Sequence, residues 1–134
     1  GRKKDCVIHI QNDLITCPNF FPHQVIICEG WATGCTLAYQ YPYATVLAAI
    51  DADNLKSVAL SVSYAWQDTT IIIAGDDDRL TPGNPGVKKA RTAAIASGAM
   101  LALPQWPTEA PDTLTDFNDL AVWLDQEFCK RMSF

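Results

Sequence analysis

The sequence predicts an α/β domain whose four-stranded, mainly parallel sheet is flanked by helices. Three observations support this. Short aliphatic runs without a polar face recur along the chain, as strands buried on both sides require. A stretch of helical periodicity follows each run, and turn or capping residues separate the two. Strict alternation of this kind builds a sheet covered on both faces.

The first run, "HQVIICEG" (23–30), ends in an acid and a glycine, and "WATGCTLAYQY" (31–41) after it has helical character. "YATVLAAI" (43–50) is the second strand. "DADNLKSVALSVSYAW" (51–66) opens on capping residues and then repeats Leu55, Val58, Ala59 and Val62 at helical spacing. "TTIIIAG" (69–75) is the third strand, and it runs into Asp76, Asp77 and Asp78 and the loop "RLTPGNPG". A helix over "VKKARTAAIAS" (87–97) should stop at Gly98. A fourth strand within "AMLALPQW" (99–106) leads through "PTEAPDTL" to a last helix, where Phe117, Leu120, Ala121, Leu124 and Phe128 share one face. Residues 1–22 are expected to be a β-rich segment, with a hairpin of "CVIHI" and "DLITC", and residues 23–134 the main domain. The start "GRKK", without Met, suggests a piece of something longer.

With 134 residues, 49% of them hydrophobic, the chain can bury one substantial core but not two. A net charge of -5 argues against holding nucleic acid by bulk electrostatics. Contact with nucleic acid must then be local or metal-assisted. The odd set Cys6, Cys17, Cys28, Cys35 and Cys129, without a CxxC pair, fits reduced thiols in a cytoplasm. Cys6, His9, Cys17 and His23 could form a zinc site, but two gaps depart from the finger spacing and packing is the simpler reading. No apolar run approaches a membrane span.

In a parallel sheet the loops after the strands meet at one edge, where ligands bind. Glu29, Asp51, Asp53, Asp76 to Asp78, Asp116 and Asp119 all follow strands and should gather there. Alternation along extended backbone points Asp76 and Asp78 together and Asp77 away. Crowded carboxylates raise one another's pKa or recruit a hard cation, Mg²⁺ or Mn²⁺, that binds phosphate with its open positions. Lys88, Lys89 and Arg91, early in a helix, oppose its dipole unless a phosphate is bound, although a solvated face explains them equally well. Gly30 either admits a ligand to the backbone or serves as an ordinary turn residue. Arg79 either neutralises the acids or contacts a phosphate. Asp51 and Asp53 read best as caps, and Asp116 and Asp119 at least equally so.

Together, "ICEGWATG", "AGDDD", "GNPG" and "TDFNDLA" resemble the Toprim domain of bacterial-type DNA primases, above all those of conjugative plasmids and integrated elements. The likeness covers about residues 23–124, and the order and spacing of its motifs are specific although each alone is weak. It implies a compact, Rossmann-like Toprim fold in which Glu29 is a general base or acid and Asp76 and Asp78 bind the metal. Asp116 or Asp119 would help to position that metal, and Lys88 would approach phosphates. The acids of "AAIDADNL" depart from the pattern and leave the roles of Asp51 and Asp53 open. The resemblance further implies a nucleotidyltransferase that makes RNA primers. Its partners would be nucleoside triphosphates, a single-stranded DNA template and, as a further candidate, a replicative helicase. A Toprim nuclease, a topoisomerase fragment and a non-catalytic metal- or nucleotide-binding module are the rival readings. The fragment alone is expected to bind metal weakly and to synthesise little.

Overall fold

The computed structural model describes residues 7–10 and 22–133. In chain order the elements are β1 (Ile8–Ile10), β2 (Gln24–Cys28), α1 (Trp31–Gln40), β3 (Thr45–Ala48), α2 (Leu55–Ala65), β4 (Thr70–Ala74), α3 (Pro85–Ser97), β5 (Met100–Ala102) and α4 (Phe117–Met132). One 3₁₀ turn, Ala52–Asn54, precedes α2. The sheet order is β1-β3-β2-β4-β5. β2, β3, β4 and β5 are mutually parallel, and β1 runs antiparallel to β3 with Ile8 opposite Ala48 and Ile10 opposite Val46.

The sheet therefore has five strands rather than the four expected. The additional one comes from "CVIHI", which joins the edge of the main sheet. The second half of the anticipated hairpin, "DLITC", lies outside the described residues, as do Cys6 and Cys17 of the suggested zinc set. Among the described residues no helix is long and apolar enough to cross a membrane.

Because side chains alternate faces along each strand, the sheet splits its apolar residues between two layers. Val25, Ile27, Leu47, Ile71 and Ile73 pack against Leu55, Val58 and Val62 of α2 and Ala90, Ala93 and Ala94 of α3. Ile10, Ile26, Cys28, Val46, Ala48 and Ala74 face the other way, against Leu37 of α1. Fully buried side chains such as Ile27 and Ile73 each contribute about 2 kcal/mol to stability. Gly98 ends α3 in a left-handed conformation, φ 73°, as its place in the sequence predicts.

The last helix departs from expectation. α4 rests on α1, where the Thr36 hydroxyl donates to Asn118 Oδ1 at 2.7 Å, yet none of its residues is fully buried. Leu124 and Phe128, on its anticipated core face, are 46% and 66% exposed. The helical stripe is present, but no described element covers its second half.

Candidate metal and phosphate site

β2 sits at the centre of the sheet, with β3 on one side and β4 on the other, so the chain changes direction of winding there. The crevice at the carboxyl ends of β2 and β4 is the ligand position of an open α/β sheet. Glu29 leaves the end of β2, and Asp76 follows β4 by two residues. Their carboxyl groups lie within hydrogen-bonding reach of each other.

Burial and three neighbouring carboxylates, Glu29 first and then Asp116 and Asp78, push Asp76 up to about 8. Beneath them, burial pushes the Cys28 thiol up to about 12, with Asp76 and Asp116 adding to the effect. This thiol packs and stays protonated. The cluster thus joins acids from three parts of the chain and carries more negative charge than the fold neutralises.

The three consecutive aspartates divide their work. Asp77 Oδ2 accepts from the Trp106 indole at 2.9 Å, and its Oδ1 accepts from Asn84 Nδ2 at 2.7 Å. Asp77 therefore points into the protein and ties the β4 exit to two loops. Asp78 Oδ2 accepts from the Gly86 backbone at 2.8 Å, and its other oxygen takes no hydrogen bond among the described residues. Asp76 and Asp78 are both within electrostatic reach of one site, while Asp77 belongs to the scaffold.

Asn84 and Gly86, which sequence reasoning did not nominate, contact the acids of the candidate site. Asn84, at φ 44°, caps α3 by accepting from Val87 N and also accepts from Asp78 N at 2.8 Å. A Cβ on Gly86 would lie 2.7 Å from both the Asp76 carbonyl oxygen and Asp78 Oδ2. Only glycine lets the start of α3 come this close. "NPG" at 84–86 was the available signal, since Asn before Pro marks an N-cap followed by the first helical residue.

The remaining candidates separate into two groups. Asp116 caps α4 by accepting from Asp119 N at 2.7 Å and also belongs to the carboxylate cluster around Asp76. Asp119 instead accepts from the Thr115 backbone at 2.9 Å, completing a reciprocal cap. Arg79 stacks on Trp106, 4.3 Å from the ring centroid, and donates to the carbonyls of Pro111 and Leu114. Its guanidinium also pairs with Asp112 at 3.5 Å, so it organises the loop before α4. Lys89 pairs with Asp53 at 2.6 Å, and Asp51 caps the 3₁₀ turn by accepting from Asp53 N. Lys88 is exposed, pairs with no carboxylate among the described residues, and has its amine near Gly83 of the β4–α3 loop. Gly30 has φ -94°, and a Cβ there would meet nothing within 4 Å. No turn requires glycine at this position.

Among the described residues, no group of three or more His, Cys, Asp and Glu side chains is arranged to hold a metal ion. Mg²⁺ does not need one, because it commonly takes one or two carboxylates and completes its shell with water and phosphate. The crowding of carboxyl groups around Asp76 and the open oxygen of Asp78 fit such an ion, which would relieve the repulsion among them.

A profile of the Toprim domain family matches residues 24–123, about three quarters of the chain. The chain belongs to the Toprim family. Two Escherichia coli proteins named DNA primase TraC are 44% identical to it over 84 residues, 60% of this chain. Those residues make up 8% of one relative and 6% of the other, so this Toprim domain spans less than a tenth of their length. No solved structure matches it significantly. The resemblance to the Toprim domain of a primase, with its mainly parallel α/β sheet, is thereby borne out.

Proposed function

We propose that this Toprim domain is the nucleotidyl-transfer centre of a DNA primase, making RNA primers on single-stranded DNA as part of a longer protein. The observation that supports this most is the meeting of Glu29, Asp76, Asp78 and Asp116 at one sheet edge, in a chain 44% identical to DNA primases over 84 residues. Asp76 and Asp78 would hold Mg²⁺ or Mn²⁺, with Asp116 adding charge beside them. When bound, such an ion offsets carboxylate charge and binds phosphate oxygens.

Primer extension joins a 3'-hydroxyl to the α-phosphate of a nucleoside triphosphate and releases pyrophosphate. Glu29 accepts the hydroxyl proton, a role that its place beside Asp76 at the sheet edge suits. Asn84 and Gly86 keep Asp78 aimed at the site. Lys88, near the start of α3, would meet the triphosphate. Gly30 leaves open the space between Glu29 and α1 through which a ligand approaches the backbone.

Asp78→Asn in the full-length protein tests the reading. Template-directed primer synthesis should disappear while the circular dichroism spectrum is kept, and retained synthesis would remove the assignment. Single-stranded DNA with Mg²⁺, with and without nucleotides, distinguishes joining from cutting. Cleavage without synthesis would make the domain a nuclease.

A further inference from the structure

We infer that Trp31 and Ile50 form an apolar platform on which a nucleobase rests while its phosphates lie at the carboxylate cluster. This inference builds on the nucleotide-binding reading above and names the part of the nucleotide that each side of the crevice takes. Two independent features of the fold carry it.

The first is strain. Ile50 has φ 72°, a left-handed conformation that a β-branched residue rarely adopts. Its side chain is 44% exposed, so little burial rewards the conformation. Asparagine or glycine would occupy such a turn more cheaply. Strained backbone that packing does not explain clusters at ligand sites.

The second is position. The Ile50 N–H donates to the Glu29 carbonyl at 2.7 Å, one step beyond the last bond of the β2–β3 ladder, Ala49 N to Cys28 O at 2.8 Å. This holds Ile50 directly beside Glu29 at the rim. Trp31, the first residue of α1, is two residues from Glu29 and 54% exposed. Gly30 between them projects no side chain, and a Cβ there would meet open space. Two exposed apolar residues, one aromatic and one aliphatic, thus stand next to Glu29 at the rim that also carries Asp76. Purine and pyrimidine rings stack on aromatic side chains whatever their sequence, as priming on varied templates demands. A net charge of -5 makes such a contact more important, since phosphate attraction alone is weak.

The base is that of the incoming nucleotide, whose phosphates the cluster takes, and binding measurements on the 134-residue chain test this. With Mg²⁺ present, the probes are ATP, a fluorescein-labelled oligothymidylate, and inorganic tripolyphosphate, which has no base. Trp31→Ala should weaken ATP binding about tenfold and leave tripolyphosphate within twofold, with Trp31→Tyr restoring most of the loss. Ile50→Asn should weaken ATP binding while holding or raising the melting temperature, because it removes the strain. Unchanged ATP binding by both variants, a loss confined to the oligothymidylate, or a parent chain that binds ATP no more tightly than tripolyphosphate overturns the platform alone. A parent chain that binds neither ATP nor tripolyphosphate overturns the nucleotide reading together with it.

Discussion

Among the individual residues, Asp76, Asp77 and Asp78 show how one triplet serves two purposes. Asp77 satisfies two half-buried donors, from Trp106 and Asn84. Asp77→Ala should therefore cost about 2–3 kcal/mol of stability in chemical denaturation, through the donors left unpaired. Asp76 behaves in the opposite way. Its folded-state pKa of about 8 lies above the ordinary 3.8, so the native state binds the proton more tightly than the unfolded chain does. The resulting contribution to metal-free stability is fully present below about pH 4 and declines as pH rises towards about 8. Asp76→Asn removes this dependence, and its metal-free melting temperature at pH 8 should exceed that of the parent. The two rim glycines make a further contrast. Gly86→Ala should destabilise by about 1–3 kcal/mol, because the new methyl meets backbone and carboxylate oxygens at 2.7 Å. Gly30→Ala should change stability by no more than about 0.5 kcal/mol, since nothing stands within 4 Å, while weakening tripolyphosphate binding. Equal effects at the two positions would contradict this division.

For the secondary-structure elements, α3 is the part that sets the site. Its N-cap Asn84 fixes the helix start and, through the same oxygen, the Asp78 backbone. Asn84→Ala should cost about 2 kcal/mol, from the lost cap and the strained φ. The same variant of the full-length protein should show less primer synthesis than its stability loss alone explains. The α3 start lies at Pro85 rather than at the expected Val87, because "GNPG" reads as loop although it carries the cap. The bonds from Asn84 to Asp77 and Asp78 were not legible in the sequence, because they link positions six and seven residues apart across an irregular loop. α4 teaches the converse. Its reciprocal cap, Asp116 with Asp119, follows from the local pattern and is present. Its burial does not follow, because periodicity names a face without naming a neighbour to cover it. Phe128→Ser should accordingly change thermal stability by no more than about 0.5 kcal/mol.

Considered whole, the Toprim domain brings together acids separated by up to 87 positions, from Glu29 to Asp116, by placing strand ends at one edge of a parallel sheet. Its overall charge of -5 sets a test of how it meets an anionic ligand. Binding of the oligothymidylate by fluorescence anisotropy should be undetectable in EDTA and should appear with millimolar Mg²⁺. Binding that is equally tight without a divalent ion would point to a surface other than the carboxylate edge.

The amino-acid sequence alone determined the alternation of strands and helices, the edge at which the acids collect, and the caps of α3 and α4. These rest on period, composition and hydrogen bonds only a few residues long, which any local segment carries within itself. Tertiary structure decided that β1 joins the main sheet, that Arg79 turns to Trp106 and Lys89 to Asp53, and that Asp76 is buried beside Glu29. Each of these outcomes depends on which groups meet across the sheet edge. Burial and mutual repulsion, which set the charge state of Asp76, exist only once the chain has closed around it.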